Sequence, residues 1–184
     1  MKPRTVPRHV AFLRAINVGG HGVRMEALKT LFESLGFARV ETFIASGNVI
    51  FESPSKNLGE TEAKIEGALH KALGYEVSTF IRTLADVTAI AHFQPFPKAA
   101  MAAAGALNVG LLKAPLSAET RRDLARLRTD IDDFQAHGSE LYWICTRKQS
   151  ESKITNAVFE RTLGVKATFR GLRTMQRLAA KYPA

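Results

Sequence analysis

The chain has 184 residues, of which 46% are hydrophobic and 23% are charged, a composition typical of a globular protein with one large or two small domains. It carries 26 Lys and Arg against 17 Asp and Glu, which gives a net charge of +9. No apolar run approaches the roughly 20 residues that a membrane-spanning helix needs, so no membrane partner is expected. The one cysteine, Cys145, excludes an intrachain disulfide and favours a cytoplasmic location.

Hydrophobic spacing predicts six elements in the first half of the chain, in the order βαββαβ. They are a strand over residues 10–17, a helix over 25–35, strands over 40–45 and 48–52, a helix over 60–73 and a strand over 77–82. Gly36 and Gly74 follow the two helices, where a glycine commonly ends a helix. Residues 46 and 47 form the tight turn between the second and third strands.

The second half repeats this order, with a strand over 107–112, a helix capped by Ser117, a hairpin around residues 137–139 whose second strand is 140–145, a helix and a strand over 166–170. Ser152 is predicted to cap that last helix, which extends through Leu163. Each half ends in one more helix, over 84–93 and 174–181. "LGYEVSTFIRT" in the first half and "LGVKATFRGLRT" in the second support a repeat of about 90 to 98 residues.

These patterns predict an α+β protein built as a tandem duplication of ferredoxin-like βαββαβ units, each followed by an extra helix. Residues 1–93 and 107–184 form the two halves, and residues 94–106, with Pro95 and Pro97, form a linker. The first strand is apolar on both faces, whereas helices cover only one face of such a sheet. We therefore expect the helix-free face to be buried by the other half or by a second chain.

One connection differs between the two halves. The first strand and first helix of the first half are joined by "NVGGHGVR", whereas the second half uses "KAPLSAE", which has no glycine. The fold itself therefore does not require a glycine loop at this point. Glycines before a helix allow backbone N–H groups to approach an oxyanion, and the helix dipole favours its negative charge.

The topology brings this loop to the same edge of the sheet as the hairpin between the second and third strands. We predict a site for a small phosphate-bearing anion there, in which protonated His21 could also donate. The alternative is a plain turn beside a polar hairpin. The loop lacks the spacing of a P-loop or a dinucleotide fingerprint. The residues of the predicted site are Arg14, Asn17, Gly19, Gly20, His21, Gly22, Arg24, Ser46 and Asn48.

Five motifs, read together, resemble the bacterial domain-of-unknown-function family 1697 over essentially the whole chain. They are Arg14-Ala15-Ile16-Asn17-Val18-Gly19-Gly20, Ser46-Gly47-Asn48-Val49, Gln94-Pro95-Phe96-Pro97, Ser152-Lys153-Ile154 and Arg170-Gly171-Leu172-Arg173-Thr174. Ala15 stands where the family usually has glycine, and Leu172 where it usually has tryptophan. The loop before Met25 is about one residue shorter and lacks the usual lysine and proline. The resemblance implies a fold and no established activity.

Other chemistry has weaker support in the sequence. Ser152, Lys153, Arg170 and Thr174 are secondary candidates for ligand binding, although a helix cap and solvated cations are the simpler interpretation. The histidines have no metal-ligand spacing and no second cysteine exists, so neither a metal nor a cofactor is predicted. Cys145 lies in an apolar strand and is expected to be a buried, inert thiol. Asp132 and Asp133 are expected to be solvated.

Three classes of function remain open. The first is a binding protein for a small anionic ligand. The second is a nucleic-acid-binding protein that uses its general basicity, although the basic residues are scattered and "SGNVIFES" lacks the paired aromatic residues that stack bases. The third is an enzyme whose acid and base groups the sequence does not identify. The oligomeric state is also left open.

Overall fold

The structure is a computed structural model in which residues 6–17 and 22–184 are described. It is a mixed α+β protein with two four-stranded antiparallel sheets in the described part of the chain. The chain divides into two compact units. The first extends to Val87 and takes in Tyr182–Ala184, and the second comprises Thr88–Lys181.

The first unit has the predicted order of elements. They are β1 (Arg8–Leu13), α1 (Met25–Ser34), β2 (Ala38–Thr42), β3 (Asn48–Glu52), α2 (Leu58–Leu73) and β4 (Thr79–Thr83). Helix α3 (Leu84–His92) begins directly after β4 and continues past Val87, the last residue of the first unit before the second begins. The sheet order is β2-β3-β1-β4. Asn57 caps α2 by accepting a hydrogen bond from the backbone N–H of Glu60, and Gly74 ends the helix with a left-handed backbone, φ 79°.

Both faces of β1 are buried, as its sequence predicts. Ala11 and Leu13 belong to a core cluster with Leu28 and Phe32 of α1 and Ile65 of α2. Val10 and Phe12 alternate with them on the opposite face, and both are fully buried. The expected burial of the helix-free face of this sheet is therefore observed.

The second unit contains α4 (Lys98–Ala103), β5 (Ala106–Leu111), α5 (Ala118–Arg126), β6 (Asp132–His137), β7 (Glu140–Cys145), a 3₁₀ turn (Gln149–Glu151), α6 (Asn156–Leu163), β8 (Thr168–Gly171) and α7 (Leu172–Lys181). Its sheet order, β6-β7-β5-β8, corresponds strand for strand to that of the first unit. Ser117 caps α5 as predicted, by accepting a hydrogen bond from the backbone N–H of Thr120.

One prediction in this unit is wrong. Thr155, not Ser152, caps the helix that ends at Leu163, because residues 149–151 form a separate 3₁₀ turn and α6 begins only at Asn156. The segment 94–106, predicted to be a linker, contains the short helix α4. Pro97 occupies the cap position of that helix, where proline's missing N–H has no intrahelical partner to lose.

The core of the second unit is aromatic on the helix-covered face of its sheet. Trp143 packs against Phe134, Phe159 and Phe169, at ring-centroid distances of 5.7 to 6.1 Å. Its neighbour Tyr142 lies on the opposite face of the sheet and is also buried, so both residues are in the interior. Phe93 covers part of that opposite face, with its ring 5.1 Å from the ring of Tyr142.

Candidate functional site

The end of β1 and the β2–β3 hairpin lie against each other, as the topology predicts. The backbone N–H of Leu13 donates to the carbonyl of Gly47 at 2.8 Å. Gly47 has a left-handed backbone, φ 70°, and a Cβ at this position would lie 2.6 Å from Cγ2 of Ile16. Only glycine fits such an approach without displacement of a neighbour. The hairpin is therefore held tightly against the chain that leads into the glycine loop.

Asn17 joins three parts of this region. Its Nδ2 donates to the carbonyl of Ala45 at 3.1 Å, and its Oδ1 accepts from the backbone N–H of Val23 at 2.9 Å. The first bond ties the segment after β1 to the hairpin, and the second ties it to Val23, two residues before α1. Asn17 therefore positions both ends of the glycine loop, and its amide is engaged within the protein.

Asn48 and Ser46 belong to the interior of the hairpin. Asn48 is fully buried, and its Nδ2 donates to the carbonyl of Phe43 at 3.0 Å and to Oγ of Ser46 at 2.9 Å. Together with the backbone N–H of Phe43, which donates to the carbonyl of Asn48 at 2.9 Å, these bonds close the turn. Asn48 therefore shapes the hairpin rather than presenting its amide to solvent.

The loop itself is only partly described. Gly19, Gly20 and His21 lie outside the described residues. Gly22 is exposed, its φ is not left-handed, and a Cβ there would meet nothing within 4 Å. Neither the backbone conformation nor the space at position 22 therefore requires a glycine.

Helix α1 begins beside this loop. Arg24 occupies the cap position with an extended backbone, and its side chain makes no cap hydrogen bond. Arg24 is exposed and Arg14 is half-buried. Glu26 is an acidic residue in the first turn of the same helix, and its carboxylate competes with any anion for the helix N-terminus. The described part of this region therefore offers two cations and one carboxylate.

The secondary candidates occupy different surroundings. The hydroxyl of Ser152 donates to Asp132 at 2.9 Å, and its oxygen accepts from the backbone N–H of Ile154. Lys153 is exposed, and Thr174 lies half-buried in α7. Arg170 donates to the hydroxyl of Thr168 and to the carbonyl of Phe169, both at 2.9 Å. Burial lowers the pKa of Arg170 to about 10, so the guanidinium remains protonated at neutral pH.

Asp132 is a buried polar centre that the sequence analysis missed. It is only 2% exposed, and its carboxylate accepts from Nε1 of Trp143 at 2.8 Å, from the hydroxyl of Thr129 at 2.8 Å and from the hydroxyl of Ser152. The prediction that Asp132 is solvated is therefore wrong. The local sequence around Asp132 gives no sign of burial, because two of the three hydrogen-bond partners of Asp132, Trp143 and Ser152, are distant in the chain.

Cys145 lies opposite Asp132 in the β6–β7 ladder. It is fully buried, and burial is the main cause that raises the pKa of its thiol. A protonated, inaccessible thiol is a poor nucleophile, which agrees with the inert role expected for it.

Within residues 6–17 and 22–184, no three His, Cys, Asp or Glu side chains converge in a way that could hold a metal ion. No helix in the same residues is long and apolar enough to span a bilayer.

Comparison with known proteins supports the relationship that the sequence motifs suggest. The family model described as "Protein of unknown function (DUF1697)" matches residues 6–142, which is most of the chain. The chain belongs to this family. No curated protein matches it.

A solved structure of a conserved bacterial protein from Streptococcus pneumoniae is similar to this family member, with a TM-score of 0.72 and 19% sequence identity. The similarity covers 96% of this chain and 98% of that one. At this identity the comparison shows a shared fold. Ala15 has a left-handed φ of 55°, a conformation that glycine adopts without strain.

Proposed function

We propose that this protein binds a small, phosphate-bearing anion at the β1–α1 loop of its first unit. The observation that carries this proposal is the start of α1, where the side chain of the cap residue Arg24 makes no cap hydrogen bond. The N–H groups of a first helical turn have no partner within the helix and attract anions. Arg24 adds a positive charge at this point.

The position of the loop supports the same proposal. Asn17 holds the residues on either side of it through hydrogen bonds to Ala45 and Val23. A loop whose two ends are anchored loses less conformational entropy when it closes on a ligand. The absence of a comparable glycine loop between β5 and α5 favours a role that is specific to the first unit.

The test is isothermal titration calorimetry with inorganic phosphate at constant ionic strength. Loss of one charge-assisted contact, worth roughly 1.5–3 kcal/mol, should weaken binding about ten-fold or more in Arg14→Ala or Arg24→Ala. Glu26→Gln should strengthen it, because the competing carboxylate is removed. Arg122→Gln, an exposed arginine of α5, is the matched control. The proposal fails if the wild type does not bind, or if all variants bind equally.

We further propose that the two units are copies of one ferredoxin-like ancestor. An arginine at the equivalent position of the two sheets supports this. Arg82 of β4 pairs with Val10 of β1 in the first sheet, and Arg170 of β8 pairs with Val109 of β5 in the second. The guanidinium of each arginine also donates to the carbonyl of the residue that precedes it. A cytoplasmic location is also proposed, and the single cysteine of the sequence supports it.

A further inference from the structure

The second unit contains an open cleft of about 680 Å³ between α4, the start of β5 and the start of α7. Its volume lies within the range of small-molecule sites, roughly 300–1,000 Å³. The cleft is built on a close backbone contact, because a Cβ on Gly105 would lie 2.2 Å from the carbonyl oxygen of Arg147. Gly105 also donates its N–H to the carbonyl of Cys145, which fixes one wall to the sheet.

The polar lining of this cleft is positive. Lys98 and Arg173 contribute two cations, and Asn108, only 9% exposed, lies in the wall with its Nδ2 donating to Oε1 of Gln149 at 3.1 Å. No Asp or Glu occurs among the described residues that line it. Met101 and Leu107 provide apolar surface in the same cleft. Such a lining suits an organic anion whose charged group meets the cations and whose apolar part meets these two side chains.

The corresponding place in the first unit is occupied by a carboxylate. Thr83 is the last residue of β4, and both its N–H and its hydroxyl donate to Oδ2 of Asp86, at 2.9 and 2.7 Å. Asp86 thereby closes the N-terminus of α3. In the second unit Gly171 is the last residue of β8, and the residue three positions later is Thr174. The carboxylate that neutralises this junction in the first unit is therefore missing in the second.

We propose that the cleft binds a small organic anion, with phosphate or carboxylate as its charged group, at the junction of β8 and α7. The anion takes the place that the carboxylate of Asp86 fills in the first unit. Lys98 and Arg173 pair with its charge, and the first turn of α7 donates backbone N–H groups to it. Gly171 leaves space for it, since a Cβ there would meet nothing within 4 Å. This site is separate from the loop beside α1.

The test follows backbone amide signals by NMR during titration with inorganic phosphate, acetate and phenyl phosphate at constant ionic strength. Saturable shifts are expected at Lys98 and at residues 171–173. Phosphate and acetate distinguish the two charged groups. Phenyl phosphate should bind at least about three-fold more tightly than phosphate, because its ring buries apolar surface against Met101 and Leu107.

Two variants decide the result. Arg173→Gln should weaken binding about five- to ten-fold, and the matched control Arg122→Gln, whose side chain does not line the cleft, should leave it within about two-fold. The double variant Gly171→Thr/Thr174→Asp installs the cap of the first unit. It should abolish the shifts and raise the unfolding temperature by a few degrees, roughly the gain of a good cap.

The proposal is overturned if the shifts do not saturate, if Arg173→Gln and Arg122→Gln bind alike, or if the capped double variant folds and still binds as the wild type does. Arg24→Ala separates this site from the first-unit loop, because it should leave the shifts at residues 171–173 unchanged. Binding that is lost at one site and retained at the other identifies which proposal has failed.

Discussion

Left-handed backbone conformations occur at three residues of the first unit, one after β1, one within β2 and one in the β2–β3 hairpin. Among the described residues other than glycine, Ala15, Arg39 and Ile44 have φ values of 55°, 46° and 50°. Such a conformation costs an L-residue roughly 1–2 kcal/mol, and a β-branched residue such as Ile44 is a marked outlier. Ala15 and Ile44 are both exposed, so packing of their own side chains does not offset this cost.

Ala15→Gly should stabilise the protein. Relief of the left-handed strain outweighs the greater flexibility of glycine in the unfolded chain, and the net gain should be about 0.5–1 kcal/mol. Urea unfolding measures it as a higher midpoint with an unchanged slope. The matched control is Ala45→Gly, an exposed alanine whose φ is not left-handed, which should be neutral or destabilising. Equal effects of the two substitutions would contradict the argument.

His9 should make stability depend on pH. It is 3% exposed, its Nδ1 has no hydrogen-bond partner among the described residues, and burial lowers its pKa although Asp86 opposes the shift. In the unfolded chain this histidine has its ordinary pKa of about 6.5 and begins to bind a proton below about pH 7. The buried His9 of the folded protein binds that proton only at a lower pH. Stability should fall as the pH decreases through this value towards the lowered pKa of the folded state.

Urea unfolding at several values between pH 8 and pH 5 measures this dependence. The contribution of His9 has a limiting slope of about 1.4 kcal/mol per pH unit for one proton. His9→Phe keeps a ring against Phe51, whose centroid lies 5.6 Å away, and removes the titrating group. The stability of this variant should fall less steeply. Parallel curves for wild type and variant would show that His9 does not titrate as argued.

At the scale of elements, the β2–β3 hairpin and the end of β1 form one packed assembly. Gly47→Ala places a methyl group 2.6 Å from Ile16 and 3.2 Å from Leu13 on a left-handed backbone. Strain and overpacking together should cost about 2–4 kcal/mol in the free energy of unfolding. The matched control is Gly22→Ala, which meets nothing within 4 Å and should change stability by less than about 0.5 kcal/mol. Thermal and urea unfolding of both variants test this difference.

Helix starts show which local signals are decisive. Ser117 and Asn57 cap the helices that follow them, whereas Ser152 does not, because residues 149–151 form a separate 3₁₀ turn and α6 begins only at Asn156, capped by Thr155. The hydroxyl of Ser152 instead donates to the buried Asp132 and accepts from the backbone N–H of Ile154. Serine and threonine are both suited to a cap, so the local pattern of residues 152–155 does not show which of the two begins the helix.

At the scale of the whole molecule, the net charge of +9 raises the question of nucleic-acid binding. Basic residues are scattered along the sequence, and several are neutralised in ion pairs, such as Arg8 with Glu41 and Arg128 with Asp133. We therefore expect binding to a random-sequence duplex oligonucleotide to be weaker than about 10⁻⁴ M at physiological salt. Fluorescence anisotropy at two salt concentrations measures it. Micromolar affinity with a steep salt dependence would support the nucleic-acid alternative instead.

The sequence by itself determined the order of strands and helices in the first unit, the end of α2 at Gly74, and the approach of the hairpin to β1. These features depend on hydrophobic periodicity and glycine positions, which act over a few residues. It also determined family membership, since the motifs are local strings of residues.

The tertiary structure decided which polar residues are accessible. Asn17 and Asn48, predicted to face a ligand, are engaged in hydrogen bonds with the backbone, and Asp132, predicted to be solvated, is buried. Residues that line the cleft come from around position 100 and position 172, so no single segment reveals it. A polar side chain becomes structural or available according to the donors and acceptors that distant segments bring to it, because a buried polar group must find a partner within the protein.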